Sequence, residues 1–129
     1  MSNRKGTGVI VTIVVVLLLS IAGIWHNASF REMGELRSEF ADEMEIALST
    51  SRMSLGSEIR ELRDIHNQAK DLNVAPWASD AHDDLLLGMD LIIRGFLAFQ
   101  SQDSEEAVSN YFERAERAIN NYDNHRFTR

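Results

Sequence analysis

The sequence predicts an all-α protein: a single N-terminal transmembrane helix followed by a small antiparallel three-helix bundle, in which a long first helix packs against a helical hairpin. Three observations predict this fold. Residues 9–25 contain no charged side chain, and the whole chain has one proline and seven glycines, so it offers few places at which a helix can break. No stretch alternates apolar and polar residues over the length of a strand.

The N-terminal apolar run has the length of a membrane span. Its 17 residues, VIVTIVVVLLLSIAGIW, would form a helix of about 26 Å, close to the thickness of the hydrocarbon core of a bilayer. The last residue is a tryptophan, whose amphipathic ring prefers the boundary between lipid and water. We assign the anchor to residues spaced through this run: Val9, Ile13, Leu17, Ile21 and Trp25.

Charge on either side of the span predicts its orientation. Arg4 and Lys5 are the only charged side chains in residues 1–8, and such residues stay in the cytoplasm. The remaining residues carry all 20 acidic and 11 of the 13 basic side chains, a net charge of −9. We therefore expect a single-pass protein of the cell membrane with a cytoplasmic tail (1–8) and an extracytoplasmic body. The acidic body repels phosphate, which excludes nucleic acid as a partner.

A cleaved secretory signal is the competing interpretation of the same run. Ser20 and Ala22 would form a small-x-small cleavage site before Gly23. The run continues through Ile24 and Trp25 without a helix-breaking segment, which favours a retained anchor. The chain contains no cysteine, so a lipoprotein anchor, disulfides and thiolate metal sites are all excluded.

Residues 26–72 form the long amphipathic helix of this prediction. Apolar side chains recur three or four residues apart from Phe30 to Leu48, and again from Leu55 to Leu72. The polar stretch Ser49–Ser57 between them predicts a kink or a local loosening. A short hairpin cannot cover a helix of about 45 residues. We therefore expect part of the stripe to remain available to a partner, and the interaction candidates are Phe30, Met33, Leu36, Phe40 and, beyond this helix, Trp77.

The sequence of residues 73–129 predicts a helical hairpin. Pro76 disfavours helix at Ala75 and marks a turn, which Trp77 would fix onto the bundle. Ser79 or Asp80 would cap a second helix that is apolar on more than one side and therefore central. An Asp90–Arg94 pair would lie on its surface. Asp103 or Ser104 would cap a third helix, running from residue 105 to about residue 122.

Candidates for chemistry are few. His82, Asp83 and Asp84 form the one local cluster of metal-ligating side chains, but adjacent helical residues point about 100° apart. We interpret the cluster as a helix N-terminus with favourable charge and expect neither a metal nor a cofactor. We interpret the acidic residues of the first helix as a solvent-exposed face and not as a catalytic pair of carboxylates. We therefore do not expect an enzyme.

Two stretches resemble known families. Residues 95–118 resemble half of a tetratricopeptide hairpin, with Ala107, Tyr111 or Phe112, and Ala115 at the small and aromatic positions; a single copy implies close helix packing and not a solenoid. The basic leader ending in Gly6 before an apolar helix resembles type IV pilins, although Val11 stands where most bacterial pilins carry glutamate.

Three functional hypotheses follow. The first is an accessory or scaffolding protein that contacts membrane lipid and either a membrane-protein partner or copies of itself. The second is a sensor-like bundle that binds a ligand between two protomers near Trp77, His82 and Ser49–Ser57, and signals through another subunit. The third is a spanin-like envelope or lysis component, or a pilin-like one; the turn at Pro76, which folds the chain back, argues against an extended spanin.

Overall fold

The computed structural model describes the backbone of residues 2–127 and the side chains of residues 12–125. Within that range the chain is all-helical and contains no strand, which confirms the all-α part of the predicted fold. Four α-helices follow one another, with one short 3-10 turn before the second and another before the third. The helices are α1 (Ser2–Leu48), α2 (Leu55–Lys70), α3 (Ser79–Gln100) and α4 (Glu105–Phe127), and the 3-10 turns are Arg52–Ser54 and Pro76–Ala78.

Helix α1 contains 47 residues, about 70 Å of continuous helix. It is long and apolar enough to cross a membrane by length and composition, two properties that signal sequences share. Only 11% of its most apolar window is buried inside the protein, so this part is not a core helix. The anchor candidates Ile13, Leu17, Ile21 and Trp25 are exposed. The side chains of Arg4, Lys5 and Val9 lie outside the described side chains.

The long amphipathic helix expected over residues 26–72 is interrupted: α1 ends at Leu48 and α2 begins at Leu55. The hydroxyls of Ser49 and Thr50 donate to the carbonyls of Glu45 and Ile46, and Ser51 is extended with φ −67° and ψ 152°. Serine and threonine compete in this way for helical carbonyls and favour helix ends. The chain turns through the 3-10 segment, α2 packs against α1, and the turn that follows α2 is hydrogen-bonded to Trp25 and Ser29 of α1. The predicted kink is therefore a complete reversal of direction.

The turn between α2 and α3 forms as the proline predicts. Ala75 adopts φ −58° and ψ 143°, an extended conformation, and Pro76 opens the 3-10 turn that leads into α3. The expected cap at Ser79 or Asp80 is wrong, because the 3-10 turn passes directly into the helix and the N-cap residue is Ala78. On the surface of α3, Arg94 Nε donates to Asp90 Oδ2 over 2.8 Å, as predicted.

Helices α3 and α4 are joined by a short link and pack against each other. The link ends α3 with Gln102 in a left-handed conformation, φ 60°. Asp103 N donates to Ala98 O and Gln102 N to Phe99 O, the pattern of a Schellman motif. The predicted Ser104 cap is confirmed, since its Oγ accepts a hydrogen bond from Ala107 N.

Two glycines let α4 approach α3 closely. A Cβ atom at Gly88 would lie 2.5 Å from Ile119 Cδ1, and one at Gly95 would lie 3.0 Å from the ring of Phe112. The glycines are seven residues apart, as are the two side chains that cover them, so both contacts fall on one face of each helix. Helix α3 occupies the centre of the bundle, as its all-round apolar character predicts. The largest fully buried side chains of the core are those of Tyr122, Met33, Leu55, Leu62, Leu85 and Met89.

We expect Gly88→Ala to lower the free energy of unfolding by about 1 kcal/mol. Overpacking against Ile119 costs about 1–3 kcal/mol, more than the gain of up to about 1 kcal/mol from replacing a helical glycine. Gly56→Ala is the matched control, since no atom lies within 4 Å of a Cβ placed there, and we expect equal or greater stability. Thermal unfolding of the detergent-solubilised chain measures both. Equal stability of the two variants would contradict the close approach of α3 and α4.

Candidate functional site

The turn between α2 and α3 is hydrogen-bonded to α1 at the point where its exposed apolar part ends. Ser29 is 1% exposed; its Oγ accepts a hydrogen bond from Ala75 N over 2.9 Å and donates one to the Trp25 carbonyl over 2.8 Å. The indole Nε1 of Trp25 donates to the carbonyl of Asn73 over 3.3 Å. These bonds fix the base of the bundle to the apolar segment.

Four rings surround these bonds, and we call Trp25, His26, Phe30 and Trp77 the aromatic junction. Trp77 Nε1 donates to His26 Nδ1 over 2.9 Å, and the two indoles meet edge to face with centroids 5.6 Å apart. The imidazole also packs on Phe30, with centroids 4.7 Å apart. The indoles remain exposed, Trp25 at 36% and Trp77 at 45%. Exposed tryptophans beside an apolar helix are typical of the boundary between lipid and water.

The expected interaction residues on the first helix lie in the core. Phe30 is 8%, Met33 0% and Phe40 3% exposed, and Leu36 packs against the same cluster. The prediction that these four residues would be left uncovered is wrong, because α2 folds back over them; of the stripe, Leu48 at the end of α1 stays exposed. Among the interaction candidates, Trp77 alone stays exposed, and it does so at the aromatic junction.

The weak metal candidates do not converge. His82 Nε2 lies 2.6 Å from the carbonyl of Ala69, whereas Asp84 Oδ2 lies 3.1 Å from His125 Nε2 on α4. These contacts connect α3 to its two neighbouring helices, and Asp83 is exposed beside them. In the part of the chain that the structure describes, no group of three or more histidine, aspartate or glutamate side chains could hold a metal ion.

Two titratable side chains in the bundle have shifted pKa values. Partial burial lowers the pKa of His66, and this effect outweighs the nearby carboxylate of Asp90, which raises it; the charge of Lys70 lowers the pKa further. On α1, burial raises the pKa of Glu43, and the nearby carboxylates of Glu61 and Glu58 raise it further. Glu58 and Glu61 lie on α2, so these like charges act on Glu43 from the neighbouring helix.

The sensor-like pocket of the second hypothesis is not assembled within one chain. Trp77 lies at the aromatic junction, whereas Ser49–Ser57 lies at the other end of α2, about 24 Å away along a 16-residue helix. A different groove, of about 100 Å³ and almost wholly apolar, lies between α1, α3 and α4. Arg37 at its edge pairs with Asp123 over 2.8 Å and keeps its Nε buried without a hydrogen-bond partner.

We expect Ser29→Ala to lower the free energy of unfolding by about 1–3 kcal/mol, because it leaves the buried N–H of Ala75 without an acceptor. Ser49→Ala is the matched control: this hydroxyl also donates to a carbonyl four residues earlier, but it is exposed. Trp25 and Trp77 are the only tryptophans in the chain, so fluorescence-detected urea unfolding monitors the aromatic junction. Equal losses in both variants would contradict a structural role for the Ser29–Ala75 bond.

Comparison with known proteins identifies no relative, so the functional proposal rests on the geometry of the chain. No protein-family model matches the chain. No curated protein sequence and no solved structure matches it significantly.

Proposed function

We propose that the protein is a non-catalytic, single-pass accessory or scaffolding protein of the cell membrane, which presents an acidic helical bundle to a membrane-protein partner or to copies of itself. The observation that carries the proposal is α1 itself, in which an exposed apolar segment continues without a break into the buried stripe of a folded bundle. The apolar segment is the anchor, and the bundle is the part that a partner meets.

Exposure of the first half of α1 supports the anchor. Large apolar side chains from Ile13 to Ile24 are 47–70% exposed, which in water would leave a contiguous apolar surface. Insertion into a bilayer removes that surface from water, and each leucine or valine so buried stabilises the inserted state by about 1.5–3 kcal/mol. The uninterrupted helix through Gly23 favours retention over cleavage, since signal sequences end in an irregular segment before the cut.

The aromatic junction supports a proposed membrane boundary at the level of Trp25 and Trp77. Trp25 follows the apolar segment directly, and Trp77 reaches the same level from the turn before α3. With Arg4 and Lys5 on the cytoplasmic side, as the positive-inside rule favours, the proposed position of the bundle is the periplasm or the outside of the cell. The hydrogen bonds of Ser29 and His26 would then hold the base of the bundle at the membrane surface.

Binding rather than catalysis is supported by the distribution of ionisable groups. The carboxylates of Glu39, Asp42 and Glu45 are exposed on α1, where they lack the burial that tunes a catalytic acid. Because the stripe of α1 from Phe30 to Ala47 is largely covered by the same chain, a partner would contact the outer surface of the bundle, its exposed end or the span.

Single-cysteine labelling tests the topology, and the natural chain contains no cysteine to interfere. We expect Ser104→Cys, which is exposed beyond the end of α3, to react with a membrane-impermeant maleimide in cells stripped of any outer layer. Ser2→Cys should react after permeabilisation only. Both variants should stay in the membrane pellet at alkaline pH. A soluble protein that begins near Gly23, or a protected Ser104→Cys, would contradict the anchor or its orientation.

Co-purification tests the accessory role. We expect the full chain, extracted in mild detergent, to purify with another membrane protein or as a defined homo-oligomer. As a control, a variant whose residues 9–25 are replaced by an unrelated apolar span should keep the partner if the bundle makes the contact. A stable monomer without a partner, from cells that express the chain at its natural level, would contradict the proposal.

A further inference from the structure

The end of the bundle opposite the aromatic junction exposes large apolar side chains. Met53 is 96% exposed in the turn between α1 and α2, Leu48 is 64% exposed at the end of α1, and Phe99 is 37% exposed at the end of α3. We call this end the distal tip. A polar residue could adopt the backbone geometry of this exposed 3-10 turn as well as a methionine does. Packing within the chain therefore does not explain why an apolar side chain stands at position 53.

An apolar cleft opens at the distal tip between α1, α3 and α4. It has a volume of about 140 Å³, and Leu48, Phe96, Phe99 and Phe112 contribute to its walls. Phe96 and Phe112 meet edge to face with centroids 5.2 Å apart, so part of the cleft wall is aromatic. A cleft of this size accepts one apolar side chain.

An acidic depression borders the apolar cleft, with Phe99 belonging to both. Asp103, Glu105 and Glu106 line it, and Arg52 is the one cation among its lining residues. The guanidinium of Arg52 is already engaged: its Nε donates to the Phe99 carbonyl over 2.9 Å, and its Cζ lies 4.4 Å from the centre of the Phe99 ring. The three carboxylates face solvent and leave an excess of negative charge beside the apolar cleft.

We propose that the distal tip is the docking surface for a basic segment of another extracytoplasmic protein, which places a large apolar side chain in the apolar cleft and a lysine or arginine in the acidic depression. The inference rests on the proposed function, because it names the surface through which the accessory protein would meet its partner. Charge complementarity selects the chemistry of this partner.

Two other occupants fit the distal tip less well. From Trp25 to Leu48 the helix rises about 35 Å, so the bilayer that holds the span cannot cover the tip. A second copy anchored in the same membrane would bring its own acidic tip to the same height, and like charges in contact disfavour association. The carboxylates of Glu43, Glu58 and Glu61 on α1 and α2 also favour a basic partner over a second acidic copy. A cation from a partner would reduce the repulsion among them.

Site-specific photo-crosslinking in cells tests the proposal with the full membrane-anchored chain. A photoreactive amino acid at Met53, which is free of packing constraints, is expected to capture a protein whose cross-linked peptide, identified by mass spectrometry, contains a large apolar residue and lysine or arginine. The same group at Glu35, exposed on α1 away from the distal tip, should give no such adduct.

Charge reversal supplies the second arm. Glu105→Lys combined with Glu106→Lys should reduce the yield of the Met53 adduct about tenfold, because two favourable charge pairs become repulsive. The matched pair Glu35→Lys and Glu39→Lys, also exposed and carrying the same change of net charge, should leave the yield within about twofold.

The remaining outcomes overturn the proposal. They are an adduct with a second copy of the chain, an adduct with lipid, a cross-linked peptide without basic residues, no adduct, and a yield that falls equally in the two charge-reversed variants. If a partner co-purifies while Met53 captures nothing, the docking surface is wrong and the accessory role stands. If the chain is a monomer without a partner, both proposals fail.

Discussion

The continuity of α1 is the constraint on which the rest of the structure depends. One helix exposes its apolar side chains in its first half and contributes a buried stripe in its second half, so the bundle cannot turn independently of the apolar segment. The change occurs within one helical turn, between Trp25 and Ser29. There the Ser29 hydroxyl connects the helix to the turn before α3, and a buried N–H that would otherwise lack an acceptor makes this contact obligatory.

Helix α3 then organises the bundle. Its apolar residues surround the helix on several sides, so it needs neighbours on each of them, and α2 and α4 supply most of these. Gly88 and Gly95 determine how near α4 can come, since they leave room for Ile119 and Phe112 to pack against the α3 backbone. Close approach increases dispersion contacts in a core that 129 residues can make only moderately large.

Most of the fold could be predicted from the sequence, because its signals are local. Pro76 marks the turn before α3, Ser104 caps α4, and the periodic apolar residues of α3 and α4 identify both helices. The reversal after Leu48 was not predicted, because it contains no proline, and the apolar stripe resumes at Leu55 in nearly the phase that a straight helix would have. That single difference moved Phe30 and Met33 from an expected interface into the core.

The candidate surfaces were harder to predict than the fold. The sequence identified Trp77 as a packing residue, but its bond to His26 depends on how a distant turn meets α1. The distal tip was missed for the same reason: Leu48 reads as part of the buried stripe and Phe99 as part of a core helix, and only the reversal of α1 into α2 leaves both at an exposed end. Met53 was the one signal available, as an apolar residue in a polar turn.

Charge distinguishes association through the apolar segment of α1 from association through the acidic bundle. The body carries a net charge of −9, and the field of its exposed carboxylates falls off within about 8–10 Å at physiological ionic strength. Neighbouring copies whose spans touch can therefore stand apart at the level of the bundle with little repulsion, whereas direct contact between bundles brings uncompensated carboxylates together. In the proposed arrangement, association through the apolar segment would depend on packing in lipid and respond weakly to salt, while association of the bundle with a basic partner would weaken as salt screens it. The salt dependence of a complex thus identifies which half of α1 holds it.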